Sequence, residues 1–234
     1  MIFDIMTLFP DLVDYVLGES IIGRAQKSGT IEVATYNIRD YSENKHRRVD
    51  DTPYGGGKGM LMMAPPIYRC FEAIQKKRES ADREKTRVIF MSPSGTLFNQ
   101  KKAEELAEYD RLVILCGHYE GVDRRIIDEI VDEEISIGDY VLTGGEIPAC
   151  ILVDSVARLV DGVLADAECH EKESISSGYV EYPQYTRPYE FHGVTVPEVL
   201  ISGHHEKIDL WREEQARALT LKNRPDIIKK FGKE

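Results

Sequence analysis

The chain has 234 residues, 42% hydrophobic and 30% charged, with a formal net charge of −11. That length can bury a substantial core and fits one α/β domain, or a domain of about 150 residues with a smaller companion. No apolar run approaches a membrane span, and the opening MIFDIMTLFPDL carries acids where a signal peptide needs a basic flank. The four cysteines (Cys70, Cys116, Cys150, Cys169) lie far apart with no C-x-x-C pair, which argues against structural zinc and a disulfide framework and for a cytoplasmic protein.

In chain order, MIFDIMTLF (1–9) reads as a strand, DLVDYVL (11–17) as a helix and EVATYNI (32–38) as a second strand. DDTPYGGGKGMLMMAPP (50–66) is a glycine loop, leading into a helix over 65–79. RVIFMS (87–92) and RLVILC (111–116) are nearly continuous apolar runs, as expected of strands covered on both faces. Helical patterns follow them at 99–109 and 122–131, and EIPACILVDSVARLV (146–160) is the most apolar helix. Such alternation predicts a mostly parallel sheet with helices on both sides. After Val160 the pattern breaks: residues 161–188 are rich in Ser, Glu and Tyr and lack periodicity. EKIDLWREEQARALTLKN (206–223) then predicts a helix with Ile208, Trp211, Gln215 and Leu219 near one stripe. RPDIIKKF (224–231) adds a short one, so a small helical second domain follows.

Charge is unevenly spread. Residues 119–173 hold 15 acids and 4 bases, whereas the rest of the chain is neutral, with a basic cluster NKHRR at 44–48. An acidic middle flanked by locally basic segments is compatible with RNA; a solvated charged face is the plainer reading.

The glycine loop is not a Walker loop. Lys58 is followed by Gly59 and Met60, so the Mg²⁺-binding hydroxyl is missing, and the preceding HRRVDDTPY is too polar for a buried strand. Three other glycine stretches lie at or beyond the apolar strands: SPSG (92–95), ending one, CGHYEGVD (116–123), ending the next, and ISIGDYVLTGGEIPA (135–149). Ligands of open α/β sheets bind outside the carboxyl ends of the strands. Walls made mostly of backbone N–H and C=O suit the edge of a flat heterocycle. Glu120, Asp139 and Glu146 make the pocket electronegative, and S-adenosylmethionine, an adenosine bearing a sulfonium, meets both demands.

VDDTPYGGGKGMLM, CGHYEGVDRR, SIGDYVLTGGEIPA, DSVAR and YPQYTRP, five motifs in order, together resemble the bacterial tRNA (guanine-N1)-methyltransferase family, which methylates guanosine 37. The resemblance implies the SPOUT fold: an α/β domain with a mostly parallel sheet whose C-terminal part threads a deep trefoil knot around the donor, plus a small helical C-terminal domain. It divides the chain into a catalytic domain (1–160), a linker contributing to the active site (161–188) and a tRNA-binding domain (189–234). It further implies a cytoplasmic homodimer with an active site shared between subunits and the tRNA anticodon loop as partner, with no membrane association.

Carried onto this sequence, the S-adenosylmethionine site covers Pro93, Gly117, Tyr119, Glu120, Ser136, Ile137, Gly138, Asp139, Tyr140, Val141, Leu142, Gly144, Gly145 and Pro148. RNA contacts fall on His46, Asp50, Gly55 and Gly59 and, in the tyrosine-rich GYVEYPQYTRPYEF (178–191), on Tyr185 and Arg187. That stretch also reads as tyrosines packing a linker onto the domain; with RNA it would order over an extruded guanine. Methylation at N1 requires a base to remove its proton and a cation at O6, where negative charge develops. By resemblance the cation is Arg158; from spacing alone Arg158 also reads as an i,i+4 ion pair with Asp154. The base is Glu173, where the family has aspartate, with Glu171 and Glu168 as alternatives. A side chain one methylene longer leaves the chemistry intact and alters its placement. The family's Mg²⁺ dependence makes Glu120 and Glu173 candidates to hold the ion, yet two carboxylates distant in sequence form no ligand set and no metal ligand is assigned. Rival readings are a SPOUT methyltransferase for another RNA nucleotide and a catalytically silent donor- or RNA-binding protein.

Overall fold

The computed structural model describes residues 1–78, 82–164 and 178–231. The chain divides into two compact units, Met1–Asp166 and Ala167–Glu234.

In the first unit β1 (Ile2–Thr7) is followed by α1 (Pro10–Leu17), α2 (Ser20–Lys27) and β2 (Glu32–Asn37). A 3-10 turn (Ile38–Tyr41) leads to the short antiparallel pair β3 (Asp50–Asp51) and β4 (Leu61–Met62). Then come α3 (Ala64–Lys77), β5 (Thr86–Leu97), α4 (Gln100–Ala107), β6 (Arg111–Cys116), α5 (Arg124–Ile130), β7 (Glu133–Ser136) and α6 (Glu146–Ala157). Among the described residues the central sheet runs β2-β1-β6-β5-β7, parallel at every pairing. The expected α/β class with a mostly parallel sheet is what the chain forms.

Alternation along the strands sorts the core into two layers. Phe3, Ile5, Ile89, Leu112 and Ile114 pack with α1, α2, α4 and α6, whereas Met6, Val88, Phe90, Val113 and Leu115 pack with α3 and α5. All six residues of β6 are buried, which explains the unbroken apolar run in the sequence. At the end of the sheet where these strands begin, the fully buried Asp4 accepts from Arg111 Nε (2.7 Å), Arg78 Nη2 (3.3 Å) and the Tyr36 hydroxyl (3.1 Å).

Several elements depart from the sequence reading. SPSG does not end its strand: β5 pairs Met91 with Ile135, loops out residues 92–95, and resumes by pairing Thr96 with the same Ile135. A Cβ on Gly95 would lie 2.4 Å from the backbone of Glu134 and Ile135, so only glycine allows the strand to close again beneath the bulge. β7, with two glutamates in four residues, offered no apolar run to recognise. In α2, Gly23 sits where a Cβ would strike the Gly18 carbonyl oxygen at 1.9 Å. Its central glycine lowers helix propensity, yet the close crossing requires it.

In the second unit β8 (Glu190–Phe191) and β9 (Val194–Thr195) form a hairpin whose turn residues, His192 and Gly193, both have positive φ, as a type I′ turn demands. α7 (Glu198–Ile201), α8 (His205–Asn223) and α9 (Pro225–Phe231) follow. Ile208, Ala216 and Thr220 bury one stripe of α8, with Trp211, Gln215 and Leu219 half-buried beside it. Thr220 Oγ1 accepts from the Val180 N–H (2.9 Å) and donates to the Ala216 carbonyl (2.6 Å), tying residues near 180 to this helix.

Candidate functional site

A cavity opens at the β5 bulge, beyond the ends of β6 and β7 and at the start of α6. Its walls are the β5 bulge (Ser92, Pro93), the segment after β6 (Gly117 to Gly121), the loop after β7 (Ile137, Gly138, Tyr140 to Gly145) and Pro148. Of the expected donor-site residues, all but Asp139 line it. The convergence has a steric cause. Gly145 N–H donates to the Gly117 carbonyl at 2.9 Å, and a Cβ on Gly145 would lie 2.8 Å from Cys116 Cα and Gly117 N. A Cβ on Gly117 would lie 2.9 Å from the Phe90 ring, and one on Gly144 would meet His118 at 2.3 Å. These glycines let three loops crowd one rim with their main chains forward.

Beneath the rim is a polar chain that the sequence reading missed. Glu146, the first residue of α6, is 2% exposed. Its Oε1 accepts from the Thr7 hydroxyl (2.6 Å) at the end of β1, and its Oε2 pairs with His118 Nε2 (2.7 Å). The His118 ring also lies 4.9 Å from that of Phe9. Glu146 therefore does not act as an open negative charge on the pocket, as its sequence position indicated: both oxygens are engaged inside, at a helix start where the dipole favours them. Glu120 is the exposed acid of the lining. The signal for Thr7 and His118 was weak, a hydroxyl at a strand end and an imidazole inside CGHYEGVD. Burial pushes the thiols of Cys116 and Cys150 up, the latter to about 11, with Glu146 adding to both. Neither is a thiolate near neutral pH.

The opening glycine loop is fastened to this cavity. Glu120 N–H donates to the Met60 carbonyl (3.0 Å), Met62 N–H to that of Gly121 (2.9 Å) and Asp123 N–H to that of Met62 (3.0 Å). Gly59, at φ +91°, lies against Glu120, where a Cβ would come within 2.3 Å of Cγ. Gly55 projects into open space, His46 is exposed, and Asp50 is half-buried in β3 opposite Met62. The loop sits on a hairpin rather than between a buried strand and a helix, which fits the rejection of a Walker loop. In the second unit, Tyr185 has its ring 6.3 Å from that of Trp211, and the Arg212 guanidinium lies 5.1 Å over Tyr182. These two tyrosines pack on α8, while Arg187 is exposed.

Arg158 is elsewhere. It follows the last residue of α6 and lines a second cavity with Asp154, Ile147, Ile151 and residues of α1 and α2. Ten residues separate it from Pro148, about 15 Å along a helix. One chain does not bring it to the first cavity. Glu173, Glu171 and Glu168 lie outside the described residues. Among the described residues no three His, Cys, Asp or Glu side chains gather where they could hold a metal. Nor is any described helix long and apolar enough to cross a membrane.

Residues 1–230 match the family described as tRNA (Guanine-1)-methyltransferase TrmD. The chain is 54% identical over 231 residues to a tRNA (guanine-N(1)-)-methyltransferase of Ruminiclostridium cellulolyticum, covering 99% of this chain and 97% of that one. Proteins of the same description from Clostridioides difficile (50% over 234 residues, all of both chains) and Staphylococcus aureus (49% over 228 residues, 97% and 91%) are similar along their length. The glycine-walled cavity at the ends of a parallel sheet and the match along nearly the whole sequence together place the chain in the tRNA (guanine-1)-methyltransferase family.

Proposed function

We propose that the cavity between the β5 bulge and the ends of β6 and β7 binds S-adenosylmethionine and that the chain methylates N1 of guanosine 37 in the tRNA anticodon loop. The observation that carries this is the cradle itself: Gly117, Gly144 and Gly145 each stand where a Cβ would collide, so the rim offers main-chain donors and acceptors at close range. Glu120 supplies an exposed carboxylate at the rim, which suits a cationic ligand. When bound, the donor supplies an electrophilic methyl on its sulfonium. The chain's own part is to hold the adenosine against the glycine rim, take the N1 proton on Glu173 and place Arg158 at O6, where charge develops as the proton leaves.

Arg158 is remote from the cavity of its own chain, which supports a homodimer in which a second copy delivers it. Phe9, Leu12, Tyr15, Val16, Ile147 and Ile151 are large apolar side chains left exposed on and beside α1 and α6, a face suited to such a partner. The same reading takes residues 1–160 as the catalytic domain with a knotted donor site, 161–188 as a linker over the target base and 189–234 as a helical tRNA-binding domain, in the cytoplasm.

The test is transfer of labelled methyl from S-adenosylmethionine to an anticodon stem-loop with guanosine or another base at position 37. Label on the guanosine substrate alone is the expected result. Label on both would move the target to another nucleotide, and donor binding without transfer would make the chain a binding protein.

A further inference from the structure

Arg39 follows β2 in the 3-10 turn, and the Asn37 side chain accepts its backbone N–H at 3.0 Å. Its half-buried side chain reaches across the fold, where Nη2 donates to the Tyr119 hydroxyl at 3.3 Å. Neighbouring arginines all have carboxylates: Arg47 with Asp40 (3.0 Å), Arg69 with Glu43 (3.2 Å) and Arg125 with Asp123 (2.6 Å). Among the described residues Arg39 has no ion pair and holds only a neutral phenol. A guanidinium has five N–H donors in a rigid fork, and among the described residues this one uses a single donor, on Tyr119. Tyr119 is itself unusual: it has φ +59°, is not a glycine, and is 45% exposed at the cavity wall. A left-handed backbone at such a position is retained where a side chain must be aimed. Here the aim brings the phenol hydroxyl to the guanidinium and holds a cation beside the cavity without neutralising it.

We propose that Arg39 is a positioning residue that receives a backbone phosphate of the RNA as the target guanine enters the cavity. The inference rests on the proposed RNA substrate and deepens it. Arg39 lies outside the cavity lining and its contact with the Tyr119 hydroxyl is exposed, so an anion can reach it from solvent. Arg47 of the basic segment 44–48 pairs with Asp40, the residue after Arg39, and the glycine loop abuts Glu120, the residue after Tyr119. An anionic oxygen could also come from the carboxylate of the donor's methionine moiety; the two sources share their chemistry and separate in the experiment.

The full-length wild type, Arg39→Ala, Arg39→Lys and Tyr119→Phe are compared by anticodon stem-loop binding between 50 and 200 mM salt, by calorimetry with S-adenosylmethionine, and by steady-state methylation. For Arg39→Ala the plot of log affinity against log salt should lose about 0.7–0.9 of its slope, one phosphate's worth. KM for RNA should rise about tenfold with kcat and donor affinity kept. Arg39→Lys should restore the slope with part of the affinity, since an ammonium is a point charge rather than a fork. Tyr119→Phe should keep the slope and lose severalfold in affinity. An unchanged slope and RNA affinity in Arg39→Ala overturns the assignment. So does weakened donor binding with the RNA slope intact, which would give Arg39 to the donor's carboxylate. A wild type that neither binds RNA nor transfers methyl overturns the RNA reading itself, and this inference with it; Arg39→Ala failing alone leaves that reading standing.

Discussion

Gly145→Ala isolates the close approach of α6 to the end of β6. Gly145 has φ −84° and ψ −6°, which alanine adopts freely, so backbone strain adds nothing. The new Cβ would lie 2.8 Å from two main-chain positions, Cys116 Cα and Gly117 N, about 0.6 Å inside ordinary contact at 3.4 Å. Neither can swing aside, because Cys116 ends a strand buried along its whole length. The helix start must therefore back away and lengthen the 2.9 Å bond from Gly145 N–H to the Gly117 carbonyl. Overpacking of this kind costs about 1–3 kcal/mol, and in a chain of this size each kcal/mol lowers Tm by roughly 2–4 °C. The same displacement moves the cavity wall, and misplacement approaching 1 Å costs up to about 100-fold in rate. Thermal melting, calorimetry with S-adenosylmethionine and single-turnover methylation measure the three effects. Gly29→Ala is the control: φ is +77° with nothing within 4 Å of its Cβ, so it should lose about 1–2 kcal/mol and keep donor affinity. A Gly145→Ala protein that melts and binds donor like the wild type would refute the argument.

Glu146→Ala should cost about 3–5 kcal/mol by thermal melting, since it leaves the Thr7 hydroxyl and His118 without their buried acceptor; Glu146→Gln, which can still accept from Thr7, should cost less. Gly59→Ala should displace the Glu120 side chain, whose Cγ would lie 2.3 Å from the new Cβ. Because Glu120 is exposed and flexible, the expected loss is severalfold in donor affinity, read by calorimetry, with a melting point close to that of Gly29→Ala. The Arg78 guanidinium, by hydrogen bonding, holds the Glu32 carboxyl below the usual carboxylate range. A depressed folded-state pKa stabilises above the unfolded value of about 4.3 and is lost as pH falls through the folded one. Glu32→Gln should therefore lower the neutral plateau slightly and flatten the acid limb of a melting-against-pH curve below about pH 4.5, the two curves converging at low pH; an unchanged acid limb would remove the pair from that account.

Legibility of the sequence followed the physics of each element. β6 and the first half of β5 were plain because burial on both faces leaves Leu112 to Cys116 and Val88 to Met91 apolar, with Arg111 and Arg87 only near the strand starts, and α6 because its apolar face is so wide. β7 was hidden because Glu133 and Glu134 spend their side chains outside the core, on Arg87 and Lys102 and on Arg124 respectively. The β5 bulge was hidden because SPSG has turn composition, and only pairing with β7 reveals that the strand resumes. In the cavity, the glycine stretches were legible as close approaches, but Glu146 was misjudged, since charge in a sequence says nothing of which hydroxyl or imidazole will face it. Arg158 could be named by resemblance, while its separation from Pro148 follows only from the rise of the helix that carries both.

That helix has a consequence for mixtures. A strut of fixed length cannot fold its tail back to its head, so if two copies meet, each supplies what the other's first turn lacks. Chains crippled at Gly145 and chains crippled at Arg158, each inert alone, would then revive one working centre whenever unlike copies pair. In a random blend half of all pairs are unlike, so about one quarter of the native number of centres would return, a fraction fixed by counting rather than by chemistry.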